Sequence, residues 1–253
     1  MIIDGKLAEA ILGHFSWPEV SGDEGSYGSS LLKIEKMLNI RVLDEFTPGM
    51  NVLDFGCGLG EETLRWAQRC PNVNFTGIDT NVNSIASARA QDRANLRFLT
   101  QIPEGEVFER IVSLDAFEHF VEPEKVLRTM KELLAPGGEI LVSFGPTWLH
   151  PRGSHIPVPI LWNQFFFTES ALLKWRAKYR ADGARTWEEA GMGRMTIKKF
   201  GNLVKEEGFQ LENFQAVPIR ATRFLHNKVT REFLTSHVTA RLRLCGRSDS
   251  SFD

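Results

Sequence analysis

The chain has 253 residues, of which 25% are charged and 42% hydrophobic, and its formal net charge is −2. This is the composition of an ordinary globular protein with ample length for a buried core, and it excludes a disordered, collagen-like or fibrous chain. The near-balanced charge gives no global reason to expect nucleic acid or an anionic membrane as partner, and no apolar stretch approaches the ~20 residues that a membrane span requires.

In chain order, MIIDGKLAEAILGHF has an early acid and no basic segment before its short apolar run, so it does not read as a secretory signal. SGDEGSYGSS follows as a Gly/Ser-rich connector, a candidate lid carrying Tyr27. SLLKIEKMLNIRVLDEF then sets Leu31, Ile34, Leu38, Val42 and Phe46 on one side of a helix, with Ser29 or Ser30 as its cap.

From residue 51 the chain alternates short β-rich runs with amphipathic helices, the pattern of a parallel sheet covered on both faces. The strand NVLDF leads to a helix from about Glu61 to Arg69, the strand VNFTGID to a helix through NSIASARAQ, and the strand LRFLT to the loop QIPEGEVFE. Next come the strand RIVSLD and the helix EPEKVLRTMKELL, with Val126, Leu127, Met130, Leu133 and Leu134 as its apolar stripe. Pro123 marks its first turn and Gly137 its end, and the strand GEILVSF closes this half.

The segment from Gly145 to about Arg194 breaks the alternation. It holds four of the six tryptophans (Trp148, Trp162, Trp175, Trp187), the run Phe165 to Phe167, and His150 and His155. Within it TESALLKWRAKYR places Leu172, Trp175 and Tyr179 on one helical face. The regular pattern resumes with the helix MTIKKFGNLVKEEGF, stopped by Gly208, and two strands, FQLENFQAV and HVTARLRLC. Arg241 and Arg243 alternate along the last strand and are expected to point outward from a solvated face. The cysteines Cys57, Cys70 and Cys245 form no CxxC pair, so neither a disulfide framework nor a metal site is expected, and a reducing, cytoplasmic setting fits.

The most informative stretch is VLDFGCGLGEET, Val52 to Thr63. A strand, a glycine turn and a helix in that order bring backbone N–H groups toward a ligand. A dinucleotide site wants GxGxxG, but Gly56, Gly58 and Gly60 give GxGxG, with Glu61 where the last fingerprint glycine would stand. Glu61 and Glu62 would also set negative charge beside a pyrophosphate. A ligand with a cationic reactive end suits this rim, and S-adenosylmethionine has that character. Asp79 ends the second strand about twenty residues on, where a carboxylate can accept from both ribose hydroxyls.

Together VLDFGCGLG, the acid of FTGID, FERIVSLDAFEHF and LLAPGGEILVSF resemble the class I S-adenosylmethionine-dependent methyltransferases over about residues 48 to 145. The resemblance implies an α/β, Rossmann-like, seven-stranded, mostly parallel sheet with helices on both faces and an antiparallel last strand, here with an aromatic-rich cap insertion after the fifth strand. The chain itself reads as one domain: an N-terminal lid and helix (1–47), a cofactor-binding core (48–145), the cap (146–194) and a C-terminal helix and strands (195–253). By position the resemblance assigns the cofactor loop to Asp54, Gly56, Cys57, Gly58 and Gly60, and the ribose to Asp79 with Thr80 beside it. The adenine falls to Gln101 and Ile102, where family members often carry an acid, and the methionine part or the acceptor falls to Asp115.

Methyl transfer from a sulfonium is an in-line displacement, so positioning carries most of the work and a base is needed only where the acceptor must lose a proton. His119, in FEHF after the fourth strand, is a candidate base or acceptor contact, as are His150 and His155 in the insertion. The alternatives are a histidine that stabilises its loop and aromatic rings that form a satellite core rather than a cap. The expected function is methyl transfer to O, N or C of a small-molecule acceptor held under the cap, with no nucleic acid partner. The alternative readings are a non-catalytic S-adenosylmethionine-binding protein and an RNA methyltransferase, the latter prompted by the basic stretch from Arg220 to Arg247.

Overall fold

The structure is a computed structural model and describes residues 2–16, 42–91, 93–102 and 104–245. The expected lid and most of the helix over residues 30–46 lie outside the described residues. The last turn of that helix, Val42–Glu45, is a 3-10 helix, and Phe46 behind it is buried against Trp66 and Phe75.

The alternation read from the sequence is the order of the fold. Strand β1 (Asn51–Phe55) leads through a short helix to β2 (Asn74–Ile78) and β3 (Leu96–Leu99), followed by β4 (Phe108–Leu114) and β5 (Leu134–Phe144). β6 (Phe209–Pro218) and β7 (Thr235–Leu244) complete one seven-stranded sheet in the order β3-β2-β1-β4-β5-β7-β6. β1 to β5 are parallel, while β7 lies between β5 and β6 and is antiparallel to both.

In chain order the longer helices are α1 (Gly5–Leu12), α2 (Glu61–Arg69), α3 (Val82–Arg89), α4 (Pro123–Glu132), α5 (Glu169–Arg176) and α6 (Ile197–Glu206). Successive strand side chains point to opposite faces, so each central strand feeds two cores. Leu53, Ile111, Ile140 and Val142 pack on one face with Leu127 and Met130 of α4 and Phe200 and Leu203 of α6. Val52, Val112 and Leu141 pack on the other with Trp66 of α2 and Ile85 of α3. Strands covered on both faces need near-continuous apolar runs, and VLDF, RIV and ILV supply them.

The outward-pointing reading of Arg241 is corrected. Its guanidinium is buried, 2.6 Å from Glu139 and 2.9 Å from Glu45, and Arg110 joins the same two carboxylates. β7 is an interior strand, so the residue opposite Leu141 faces the second core rather than water. Arg243, two pairs further on, also meets Glu139 but stays half-exposed. Among the described residues no helix is long and apolar enough to cross a membrane.

Candidate active site

β1 ends at the carboxyl edge of the sheet and delivers Asp54, then turns. The N–H groups of Gly56 and Cys57 both donate to the carbonyl of Ile78, at 2.8 and 3.0 Å, which fastens the turn to the end of β2. Gly60 and Gly58 sit at φ +74° and +53° for different reasons. A side chain at Gly60 would meet the Phe98 ring at 2.4 Å, so glycine there lets α2 pack on β3. A side chain at Gly58 would meet no atom within 4 Å; its position borders open cavity. The Gly58 N–H donates to Asp79 Oδ2 at 2.9 Å, and Asn81 N–H donates to Oδ1 at 2.8 Å. Both oxygens of Asp79 are thereby fixed, and each keeps acceptor capacity for a further donor.

Around this turn lies a cavity of about 540 Å³, lined by Asp54, Gly56, Cys57, Gly58, Leu59, Glu61, Glu62, Asp79, Thr80, Ser84, Leu114, Asp115, Ala116, His119 and Phe120. That volume falls within the usual range of small-molecule sites. Asp54, Glu61, Glu62, Asp79 and Asp115 are all carboxylates, and among the described residues no lysine or arginine lines the space with them.

The consequence falls on the innermost acids. Burial pushes the Asp54 carboxyl up to about 7, against the hydrogen bond from Thr63 Oγ1 at 2.6 Å, and the charges of Glu62 and Asp79 raise it further. Burial likewise raises Glu62, whose Oε1 meets Arg65 at 2.5 Å while Oε2 is buried without a partner among the described residues. A buried carboxylate oxygen lacking a donor is costly, and a cationic or N–H-bearing ligand would relieve it. The Cys57 thiol is pushed far up by burial and then by Asp54 and Asp79, so it is no nucleophile.

Of the residues singled out in the sequence, Asp54, Gly56, Cys57, Gly58, Asp79, Thr80, Asp115 and His119 are brought together on the cavity wall. Gly60 lies behind it, against Phe98. Gln101 and Ile102 follow β3 as exposed residues outside the lining. Asp115 adopts φ +48° at the end of β4, with its N–H on Ser143 O at 2.8 Å.

The three candidate histidines separate. His119 ends a 3-10 turn, Phe117–His119, and its Nδ1 lies 2.9 Å from the carbonyl of Gly191. A carbonyl only accepts, so Nδ1 carries the hydrogen and Nε2 keeps its lone pair in the neutral ring. His155 stands behind it, with ring centroids 5.2 Å apart, and its Nε2 donates to Pro146 O at 3.3 Å. Burial, then the neighbouring His119, lowers His155 to about 4. His150 uses Nδ1 to accept from the Arg152 N–H at 2.9 Å, and burial and Arg152 lower it to about 4. Neither His150 nor His155 lines the cavity.

The insertion builds a core of its own. Ile156, Phe167, Leu172, Trp175 and Trp187 pack with Ala8 and Leu12 of α1, and Trp175 Nε1 donates to Leu12 O at 2.8 Å. None of its tryptophans lines the cavity. What it brings to the cavity wall is backbone: Gly191 O receives His119, and Gly193 N–H donates to Glu118 O at 2.8 Å.

Sequence reading missed three groups here. Ser143 Oγ lies 2.5 Å from His237 Nε2 and 3.4 Å from Asp115 Oδ1, joining β4, β5 and β7 beside the cavity. No local motif announces a pairing across so many residues. Glu118 is buried, accepts the Gly145 N–H at 3.0 Å through Oε1 and leaves Oε2 without a partner among the described residues. Burial, helped by the charge of Asp115, pushes it up to about 8. Its place in FEHF beside His119 was the available signal. Among the described residues no group of His, Cys, Asp or Glu is arranged to hold a metal ion.

The profile of the family described as "Methyltransferase domain" matches residues 34–213. The trans-aconitate 2-methyltransferase of Deinococcus radiodurans is 32% identical over 124 residues, 47% of this chain and 46% of that protein. Cyclopropane mycolic acid synthase 2 of Mycobacterium tuberculosis is 34% identical over 116 residues, 43% of this chain and 36% of that protein. The chain thus spans less than half the length of these curated relatives. Among solved structures, magnesium protoporphyrin IX methyltransferase from Synechocystis PCC 6803 with bound SAH shares the fold. Its TM-score is 0.55 at 15% identity, over 94% of this chain and 92% of that one.

Proposed function

The chain belongs to the methyltransferase-domain family, and from that premise we propose that it transfers the methyl group of S-adenosylmethionine to a small-molecule acceptor. The observation that carries this reading is the cavity itself, where four further carboxylates and an open Gly58 surround the clamped Asp79, with no cationic side chain on the lining among the described residues. A diphosphate would meet like charge at close range. A nucleoside with a cationic end meets the opposite.

In this reading Gly56 and Gly58 let the backbone approach the cofactor, and Asp79 accepts from the ribose hydroxyls with the lone pairs left by Gly58 and Asn81. Asp54 and Glu62 receive the ammonium group of the cofactor's amino acid end. Bound there, S-adenosylmethionine supplies an electrophilic methyl carbon. Leu114, Ala116 and Phe120 form the apolar wall that keeps water from the acceptor, and Asp115 orients it with Ser143 and His237 in support. His119, held by Gly191, presents the Nε2 lone pair that takes a proton where the acceptor has one to lose. His155 backs His119, and His150 anchors its own turn.

The test is incubation with methyl-labelled cofactor and a small-metabolite extract. Labelled product, lost in Asp79→Ala, supports the reading. Cofactor retention without any product would leave a binding protein instead.

A further inference from the structure

The connection between β6 and β7 is an ordered element that buries nothing. Its 3-10 helix Arg220–Leu225 and its helical turn Arg231–Leu234 contain no buried residue. It is fixed from within: Ile219 N–H donates to Leu234 O at 2.8 Å, and Asn227 Oδ1 accepts from Val229 N–H at 2.8 Å and Thr230 N–H at 3.2 Å. His226 Nε2 lies 3.0 Å from Thr235 Oγ1. Yet Phe224 is 84% exposed and Val229 82%, and Leu225 and Phe233 stand about half in water. A loop that has its own hydrogen bonds has no packing reason to hold these side chains outward, and such patches mark interaction surfaces.

The charges say which kind. Arg220, Arg223 and Lys228 are exposed between the apolar residues, and none of them makes an ion pair among the described residues. The one acid of the stretch, Glu232, is occupied by the N–H groups of Ile197 and Lys198. Large aliphatic and aromatic tips flanked by unpaired cations match a surface that is anionic outside and hydrocarbon beneath. The near-neutral total charge does not oppose this, because fields fall off within a Debye length of ~10 Å.

β6 runs parallel to β1 through β5, so its end and the start of β7 lie at the carboxyl edge that also carries the glycine turn. His237, at the start of β7, reaches to 3.5 Å from Asp115 on the cavity wall. The connection therefore flanks the site on its acceptor side.

We propose that the β6–β7 connection docks the protein on an anionic lipid bilayer, with Phe224 and Val229 entering the interface and Arg220, Arg223 and Lys228 on the headgroups. Docking this way turns the edge with the cavity toward the lipid. The proposal is independent of methyl transfer, since vesicle binding needs neither cofactor nor acceptor.

The experiment is co-sedimentation of the full chain with phosphatidylcholine vesicles and with phosphatidylcholine–phosphatidylglycerol vesicles, across a salt series. The expected result is retention only on the phosphatidylglycerol vesicles, weakening as salt rises. Phe224→Glu with Val229→Glu reduces it at least about ten-fold, and Arg220→Gln, Arg223→Gln and Lys228→Gln together reduce it roughly a hundred-fold. Both variants keep the wild-type unfolding temperature, because none of the replaced side chains is buried. No retention, retention indifferent to phosphatidylglycerol, or retention unchanged in both variants would overturn the proposal. So would RNA binding, or a self-association abolished by Phe224→Glu with Val229→Glu, in the absence of vesicle binding.

Discussion

Asp79 accepts the backbone N–H of Gly58 at 2.9 Å, tying the end of β2 to the turn that follows β1 across the mouth of the acidic cavity. The bond leaves the carboxylate ordered and still able to accept. Asp79→Ala should lower S-adenosylmethionine affinity ten-fold or more, since hydrogen bonds to charged groups contribute roughly 1.5 to 3 kcal/mol. Isothermal titration measures it, and an unchanged affinity would remove Asp79 from the site.

Gly58 and Gly60 make a paired prediction, because both lie at positive φ but only one has neighbours. Gly60→Ala drives a methyl into Phe98 at 2.4 Å and should cost stability, by about 1 to 3 kcal/mol of overpacking beyond the backbone term. Gly58→Ala meets no atom within 4 Å, so it should cost only the left-handed backbone term of roughly 1–2 kcal/mol. On the proposed reading its methyl enters the space of the cofactor. Thermal unfolding and cofactor titration on both variants should therefore diverge, with the larger stability loss in Gly60→Ala and the affinity loss in Gly58→Ala. Equal behaviour in both assays would contradict this division.

Cofactor affinity should depend on pH through Asp54. Its carboxyl, pushed up to about 7 by burial, is neutral below that pH and charged above it. A cationic ligand favours the charged form, so binding releases a proton in the lower range and affinity rises from about pH 5.5 to a plateau above about pH 7.5, at most ~10-fold per pH unit. Titration in buffers of different ionisation enthalpy reports both effects. Asp54→Asn should flatten the profile; a slope that survives in that variant must come from another group.

Glu118 makes a stability prediction of definite sign. Its pKa is raised on folding from 4.5 to about 8, so the folded chain holds a proton that the unfolded chain has given up between those values. This favours folding fully below about pH 4.5, and the contribution is lost as pH rises through about 8. Glu118→Gln keeps an acceptor for the Gly145 N–H and cannot ionise. The variant should be more stable than wild type above about pH 8, by on the order of a few kcal/mol, with the difference shrinking as pH falls toward about 5. Denaturant unfolding at several pH values measures it, and a constant difference would show that Glu118 does not titrate in this range.

What the sequence made legible was local. Helix α2 runs from Glu61 to Arg69 as expected, because a glycine turn and an acidic first turn mark its start within a few residues. The apolar runs VLDF and RIV read as strands covered on both faces, and they are. Asp79 was visible because a strand-end acid follows the turn at a fixed distance. What stayed hidden depends on partners far apart in the chain. Arg241 looked like a solvated residue until β7 was placed between β5 and β6, where Glu45 and Glu139 receive it. Ser143 and His237 meet only through that same pairing. Helix α1 is short and packs mainly on α5, so its pattern had no local confirmation, and the tryptophans of the insertion turned out to include that helix's core partners.

The most direct measurement is crystallography after soaking, in parallel, with S-adenosylhomocysteine and with nicotinamide adenine dinucleotide. The expected result is adenosylhomocysteine alone in the cavity, its ribose on Asp79 and its amino acid end between Asp54 and Glu62. The dinucleotide seated over Gly56 to Gly60, with adenosylhomocysteine shut out, would contradict it.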